Sequence, residues 1–217
     1  MRKQILIVFL VLVFAVSSVA AGTFSAGVSV GGSLAFVGVE PSGEGSPRYG
    51  FTGGLYGDYA FYSMGEMVDF SVQSGVYYAM KGFRASKVNV ESVGVVEGDL
   101  TVNHDYIEVP LLVKASFPLD LPVDPYLLVG PAVSYRIINT VSMESTHPAT
   151  SAIVDDIEGK YQSLDFGVVF GAGVDLDMGI SVDARFNLGL LNIEDEPSGD
   201  DYTKNRSISL MVSYNIL

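Results

Sequence analysis

The chain has 217 residues, 48% of them hydrophobic and 17% charged, with a formal net charge of −13. Its acidic balance excludes a nucleic-acid partner, because nucleic-acid binding depends on lysine and arginine side chains that neutralise phosphates. The chain has no cysteine, which excludes disulfides, thiolate chemistry and cysteine-ligated zinc, and its length suits one substantial domain.

The first predicted element is a secretory signal peptide. Two basic residues precede the apolar run 5–16, and the small residues of SSVAAG follow it. This order is typical of a signal peptide, whereas an uncleaved membrane anchor needs about 20 apolar residues. We predict a signal peptide over residues 1–21, cleaved after Ala20 or Ala21, and one domain over residues 22–217. Removing the two basic residues leaves ten basic and 25 acidic ones, a net charge of −15.

Beyond the signal peptide, apolar and polar residues alternate in eight segments, and no helical period of comparable strength is present. In the third segment, VDFSVQSGVYYAM (68–80), apolar residues fall on one side of a strand and mostly polar or small residues on the other. Each segment is therefore predicted to be a strand with one apolar face. In chain order the apolar positions span Phe24–Phe36, Phe51–Phe61, Val68–Met80, Ile107–Phe117, Leu127–Ile137, Phe166–Leu176, Ile180–Leu188 and Ile208–Ile216.

The connections between the predicted strands alternate in length. Those after the odd-numbered strands are long and polar, over about 39–49, 81–103, 139–160 and 192–204, whereas those after the second, fourth and sixth strands are short turns. This alternation is typical of an up-and-down barrel with one rim outside the cell and the other in the periplasm. Because the number of strands is even, both termini are expected at the periplasmic rim.

The composition of the two faces of the strands predicts which face contacts lipid and which lines the interior. A secreted lipocalin-like barrel also alternates, with apolar side chains inside and polar ones in water. Here the polar face is mostly Gly, Ser, Ala and Asp, which suits the narrow interior of an eight-stranded barrel. The apolar face carries almost no charge, as contact with lipid requires. We therefore predict an all-β fold, a transmembrane antiparallel up-and-down β-barrel of about eight strands.

Aromatic residues lie toward both ends of the apolar face and predict two interfacial girdles. Toward the short turns they are Phe24, Phe61, Phe70, Phe117 and Tyr214, and toward the other rim Phe36, Phe51, Tyr78, Tyr135 and Phe166.

Five blocks of the chain carry a family resemblance. They are GVYYAMKGF (75–83), DYIEVPLLVKASF (105–117), PYLLVGPAVSYRI (125–137), DFGVVFGAGVDL (165–176) and ISVDARFNLGLLNI (180–193). These blocks resemble the PorT-like outer-membrane β-barrel family of Gram-negative bacteria. The resemblance implies an eight-stranded barrel in the bacterial outer membrane, and it implies no shared activity, cofactor or catalytic residue. Barrels of the outer membrane commonly end on an aromatic residue in lipid-facing register. This chain departs from that pattern, because Leu217 lies one residue beyond the lipid-facing Ile216.

Candidate catalytic and metal-binding groups are few. A hydrolase needs a base, usually histidine, within reach of its nucleophile, and the chain has only His104 and His147. A site of His104, Asp105 and a loop serine is conceivable, but no nucleophile motif supports it, so we predict no enzyme and interpret both histidines as loop residues in water. The acidic runs 154–160 and 193–201 lack the spacing of a calcium loop, and we interpret them as solvated surface.

One pair of charges is predicted inside the barrel. Glu108 and Arg136 lie on the polar faces of the fourth and fifth strands, and counting outward from a turn centred near residue 122 puts them at the same height. We predict that they form a lumen ion pair near the outer rim, with Asp165 and Arg206 at similar depth. The alternative is that each is hydrated separately at a wet rim.

Two functions remain open at this level. The first is a structural or interaction barrel with a filled lumen, whose long loops meet an extracellular or envelope partner. The second is a small transport or ligand-binding barrel, either a narrow pore or a lipocalin-like carrier. In both cases we expect the protein to be a monomer that lies in outer-membrane lipid. We expect it to bind no cofactor or metal.

Overall fold

The structure is a computed structural model, and it describes residues 22–40, 46–90, 94–119, 121–144, 162–192 and 202–217. The predicted signal peptide over residues 1–21 lies outside these ranges. Within them, no helix is long and apolar enough to cross a membrane.

The described residues form eight antiparallel strands that close into a barrel in chain order, with β8 hydrogen-bonded to β1. This confirms the predicted all-β, up-and-down, eight-stranded fold. The strands are β1 (Thr23–Glu40), β2 (Ser46–Ser63), β3 (Asp69–Val90), β4 (Gly94–Ser116), β5 (Val123–Glu144), β6 (Leu164–Leu176), β7 (Ile180–Gly189) and β8 (Tyr202–Asn215).

The two faces of each strand meet different surroundings, as the alternation predicts. Outward side chains such as Leu55 and Leu210 are exposed, whereas inward ones such as Ser29, Gln73 and Asp183 are buried. An exposed apolar face on every strand is the surface that lipid requires, and closure of the ring pairs the backbone of every strand on both sides. The interior is therefore polar and the exterior apolar.

One rim carries the tight turns, the start of β1 and the C-terminal end of the chain, and we call it the short-turn rim. The amide of Leu217 donates to the carbonyl of Ala26 at 3.2 Å, which brings the two ends of the described barrel together there. The turns between β2 and β3 and between β6 and β7 lie at the same rim, and their Gly65 and Gly179 have φ angles of 62° and 74°. Such positive φ values strain any residue with a Cβ, which explains the glycines. The opposite end is called the distal rim.

The predicted long connection over 81–103 is wrong, because it is mostly strand. β3 continues to Val90 and β4 begins at Gly94. The sequence pattern is lost because the register shifts between Ala85 and Lys87, which breaks the period of two. Beyond the aromatic girdle, moreover, neither face of a hairpin has to be apolar, so alternation no longer marks the strands.

The wall is uneven at the distal rim. β5 pairs with β6 only as far as Tyr135 and Leu164, but it continues to Glu144 along β4. The three strands β3, β4 and β5 therefore project beyond the rest of the barrel as a small sheet. The other distal connections lie over 41–45, 145–163 and 190–201.

Candidate functional site: the polar interior

Three clusters of interior side chains lie along the barrel, each built around an ion pair, and a further buried ion pair joins Arg48 to Asp105. The distal cluster contains Lys81 and Glu108, whose Nζ and Oε2 atoms are 2.7 Å apart. The same Oε2 accepts hydrogen bonds from Ser134 Oγ at 3.0 Å and from Asn187 Nδ2 at 2.8 Å. The side chains of Lys81 and Glu108 are only 5% and 14% exposed. A charge in such a place is stable only when it is paired and hydrogen-bonded.

The register brings these groups together from three strands. Tyr77 pairs with Glu108 and Glu108 pairs with Ser134, so one inward row crosses β3, β4 and β5. Lys81 lies farther along β3, and its ammonium group lies 5.2 Å from the centre of the Tyr106 ring. Cation–π attraction adds to the ion pair there.

The predicted facing of Glu108 and Arg136 is wrong by two residues. In the register Glu108 lies opposite Ser134, and Arg136 lies opposite Tyr106. Counting outward from residue 122 places the centre of the turn one residue too far along the chain. An error of one residue at the turn shifts the predicted partner on the facing strand by two residues. The ion-pair partner of Glu108 is Lys81, which lies at the start of the connection predicted over 81–103. The sequence contains a signal for its inward position, because Lys81 is the next residue after Ala79 on the inward face of the third strand.

Asp165 lies inside the barrel as predicted, whereas Arg206 does not. Asp165 is buried in the lumen and accepts a hydrogen bond from Asn205 Nδ2 at 2.9 Å. Arg206 pairs with Phe36 and Leu188, both on the outward parity of their strands. Its placement inside the barrel was therefore wrong, since it shares the parity of the lipid-facing residues that follow it on β8.

The central cluster contains Arg185 and Asp183, both on β7. Arg185 Nε lies 2.5 Å from one carboxylate oxygen of Asp183 and its Nη2 lies 3.2 Å from the other. The Asp183 carboxylate also accepts a hydrogen bond from the Tyr126 hydroxyl at 3.0 Å, and the guanidinium donates to Gln73 Oε1 at 3.3 Å. Asp183 is 1% exposed. The two contacts to one guanidinium fix the Arg185 side chain across the lumen.

The third cluster lies at the short-turn rim. Lys114 Nζ is 2.7 Å from Asp175 Oδ2, and the Ser181 hydroxyl donates to the other oxygen of that carboxylate at 2.6 Å. The ammonium group lies 4.1 Å from the centre of the Tyr126 ring. The Asp175 side chain is 30% exposed, so water reaches this cluster and weakens its electrostatic attraction.

The interpretation of His104 as a loop residue in water is wrong. His104 is fully buried, because β4 begins ten residues before it and carries it into the lumen. The neighbouring Asp105 accepts a hydrogen bond from the Tyr78 hydroxyl at 2.5 Å and lies 3.6 Å from Arg48. Among the described residues no group of three or more His, Asp or Glu side chains is arranged to hold a metal ion. His147 and the acidic runs 154–160 and 193–201 lie outside the described residues.

Two small cavities separate the clusters in the described part of the barrel. The central cavity, of ≈ 40 Å³, is lined by Tyr77, Lys81, Glu108, Pro110, Val169 and Arg185 among others. The mouth cavity, of ≈ 60 Å³, is lined by Ser25, Asp58, Lys114, Asp183, Arg185 and Asn215 among others. Each has room for only a few water molecules. Arg185 borders both, so it lies between the two cavities.

The filled interior predicts that the barrel does not conduct ions. An ion needs a continuous path of water, whereas here side chains of the three clusters bridge the lumen of an eight-stranded barrel, which side chains can fill. The bridging contacts join Glu108 to Asn187, Arg185 to Gln73 and Lys114 to Asp175. Purified protein inserted into planar bilayers should show no steady conductance at neutral pH. Insertion is checked by the different gel mobilities of heated and unheated protein recovered from the bilayer. Stable single-channel steps would support the pore alternative instead.

The chain is similar to one protein family and to several solved structures. Residues 17–195 match the family model described as "Outer membrane protein beta-barrel domain". Among solved structures, the attachment invasion locus protein Ail of Yersinia pestis shares 14% identity over 88% of this chain and 98% of that chain, with a TM-score of 0.39. Neisserial surface protein A shares 13% identity over 88% and 98%, with a TM-score of 0.46. OprG of Pseudomonas aeruginosa shares 12% identity over 89% and 94%, with a TM-score of 0.37. No curated protein matches the chain.

Proposed function

The chain belongs to the outer membrane protein beta-barrel domain family and lies in the bacterial outer membrane, and from this premise we propose that it is a non-conducting barrel whose distal rim binds an extracellular or envelope partner. The observation that carries the proposal is the filled lumen. Three ion-paired clusters occupy the interior, so the surface that remains for function is the distal rim with its projecting sheet and connections. The barrel then acts as an anchor for that surface.

The orientation follows from the lengths of the connections. We infer that the short-turn rim, with both termini, faces the periplasm, as in barrels whose periplasmic turns are short and whose extracellular loops are longer. This orientation agrees with a signal peptide over residues 1–21 and with a chain that is exported before it folds. We further propose that the protein is a monomer of the PorT-like type, on the strength of the five sequence blocks that carry that resemblance.

The orientation predicts which rim is open to reagents outside the cell. The chain contains no cysteine, so a single introduced thiol reports its own position. Ser142→Cys places an exposed thiol on the projecting part of β5, and Ser63→Cys places one at the end of β2 on the short-turn rim. A membrane-impermeant maleimide should label Ser142→Cys on intact cells, and Ser63→Cys only after the outer membrane has been permeabilised. The reverse pattern would contradict the orientation.

The interaction role predicts that the distal connections are separable from the fold. Shortening residues 193–201 to a tight turn should leave the heat-dependent gel shift intact, since the barrel's paired strands lie outside this segment. The same deletion should abolish cross-linking of Ser142→Cys, carrying a photoreactive group, to other envelope proteins in living cells. A matched variant with an altered turn at 64–67 should keep that cross-linking. If the deletion abolishes the gel shift, the segment is part of the fold and the interaction proposal loses its support.

A further inference from the structure

Four prolines lie in the described strands, and two of them, Pro47 and Pro125, are among the first three residues of β2 and β5. The other two lie in strand interiors on neighbouring strands, Pro110 in β4 and Pro131 in β5. In a closed barrel every strand has a neighbour on each side, so a proline removes an N–H donor that the wall would otherwise use. Proline in a sheet is normally confined to edges, first residues and bulges. Two prolines on adjacent strands therefore mark an exceptional place in this wall.

The register identifies the two hydrogen bonds that are missing. The Phe117 amide donates to a β5 carbonyl at 2.8 Å, so odd-numbered residues of β4 direct their backbone groups at β5 and even-numbered ones at β3. By this rule Pro131 stands where the donor for the Leu111 carbonyl would be. Pro110 stands where the donor for the Gly75 carbonyl would be. Neither proline can supply the bond, because neither has an N–H.

Strand pairing is interrupted at both places. Between Tyr106 and the short-turn rim, the positions without a paired Cα partner are 75–76 and 109–110 between β3 and β4, and 111–112 and 130–131 between β4 and β5. We call these residues the seam. The Pro110 carbonyl accepts a hydrogen bond from the Ser74 hydroxyl at 2.8 Å, so a side chain there stands in for part of the regular ladder.

The wall is apolar on both sides of the seam. Outside, Leu111, Val129 and Val133 are exposed to lipid. Inside, where the rest of the lumen is lined largely by polar and charged side chains, a cluster of buried apolar residues lies behind the seam. Its members are Leu112, Tyr126, Leu128, Ala132 and Val169. Gly130 contributes no side chain to this part of the seam, because a Cβ there would lie 2.1 Å from the Leu111 carbonyl oxygen.

We propose that the wall opens locally at the seam and that acyl chains of membrane lipids insert between the parted strands, where they contact the apolar cluster behind the seam. Pairing is also interrupted between β2 and β3, at 48–51 and 80–82, but that gap lies at the distal girdle and beyond it. Opening elsewhere between the girdles would break regular hydrogen bonds in hydrocarbon, where water cannot replace them; at the seam two of those bonds are already missing. The occupant follows from depth, because the outward neighbours of the seam lie between the two aromatic girdles and are surrounded by acyl chains. Entry through the seam is distinct from conduction along the barrel axis, so it is compatible with a barrel that passes no ions.

The test uses single thiols behind the wall. Ala132→Cys lies behind the seam, and Ser29→Cys is a matched control that is equally buried on β1, where pairing with both neighbours is continuous. Each variant is placed in phosphatidylcholine vesicles with an alkyl-chain maleimide, after its heat-dependent gel shift has been checked. The thiol of Ala132→Cys should react at least about tenfold faster than that of Ser29→Cys, since two missing hydrogen bonds lower the free energy of opening.

A second substitution tests the cause. Pro131→Val in the Ala132→Cys background restores one N–H donor and should slow the reaction about fivefold. Equal rates for the two thiols, no effect of Pro131→Val, or faster reaction with a water-soluble maleimide than with the alkyl one would each overturn the proposal. If Pro131→Val does not fold, amide exchange of the unmodified protein decides. Leu111 and Leu112 should exchange faster than Val168 and Val169 on β6, and equal exchange would overturn the proposal.

Discussion

Replacing Lys81 with methionine should lower the free energy of unfolding by about 3–5 kcal/mol, the typical loss when one member of a buried ion pair is removed. The Glu108 carboxylate would keep hydrogen bonds from Ser134 and Asn187 but would lose the cation 2.7 Å away that balances its charge. The measurement is urea unfolding of the folded barrel in detergent or in lipid vesicles. Methionine is chosen because it preserves most of the side-chain volume, which keeps the packing contribution small.

A double-mutant cycle shows whether the loss belongs to the pair. Glu108→Gln alone should also be costly, because it leaves the buried ammonium group of Lys81 without its counter-ion. The double variant should be less destabilised than the sum of the two single variants, since it removes both charges together. The cycle of Glu108→Gln with Arg136→Gln is the matched control, because Arg136 lies opposite Tyr106 in the register. A larger coupling energy for Arg136 than for Lys81 would restore the ion pair predicted from sequence.

The second large effect is expected at Asp183. Asp183→Asn should destabilise the barrel by about 3–5 kcal/mol, because it leaves the Arg185 guanidinium buried without its carboxylate. The substitution also weakens the acceptor of the Tyr126 hydroxyl. Asp175→Asn is the matched control, since its ion pair with Lys114 is open to water on the carboxylate side. That control should lose about 1 kcal/mol or less.

The loss of unfolding free energy of both variants is measured from their unfolding midpoints in urea. The slopes of the transitions are compared to check that each variant exposes the same surface on unfolding. Equal losses for Asp183→Asn and Asp175→Asn would mean that burial does not set the strength of these pairs. A further check is the planar bilayer, in which Asp183→Asn should remain closed if the distal cluster of Lys81 and Glu108 also blocks the lumen.

The faces of the strands were predictable because lipid and lumen impose opposite chemistry on alternate residues. The pattern of residues 68–80 is the clearest case, with buried Ser71, Gln73 and Tyr77 on one side and the exposed Val76 on the other. A period of two survives in the sequence only where one face must be apolar. That condition holds between the two aromatic girdles, and there the prediction is confirmed on all eight strands.

The strand ends and the ion-pair partners were not predictable in the same way. Beyond the girdles water surrounds both faces of a strand. The distal part of the β3–β4 hairpin therefore lacks the alternation of apolar and polar residues, and the pattern wrongly predicts a loop there. The partner of Glu108 depends on register, and register depends on turn geometry. One residue of error at the turn moved the predicted partner from Ser134 to Arg136. Alternation is unchanged by a shift of two, so the pattern itself cannot correct such an error.

The sequence by itself therefore determined the fold class, the number of strands and the face on which residues between the two girdles lie. All three follow from the alternation of residues that meet lipid with residues that meet the lumen. Only the tertiary structure decided which interior charges meet, since Lys81, Glu108 and Asn187 come from three strands that are brought together by closure of the ring. It also decided that Pro110 and Pro131 fall on one weak place in the wall. Each proline was visible in the sequence, but their proximity depends on the register between β4 and β5, which is a property of the closed barrel.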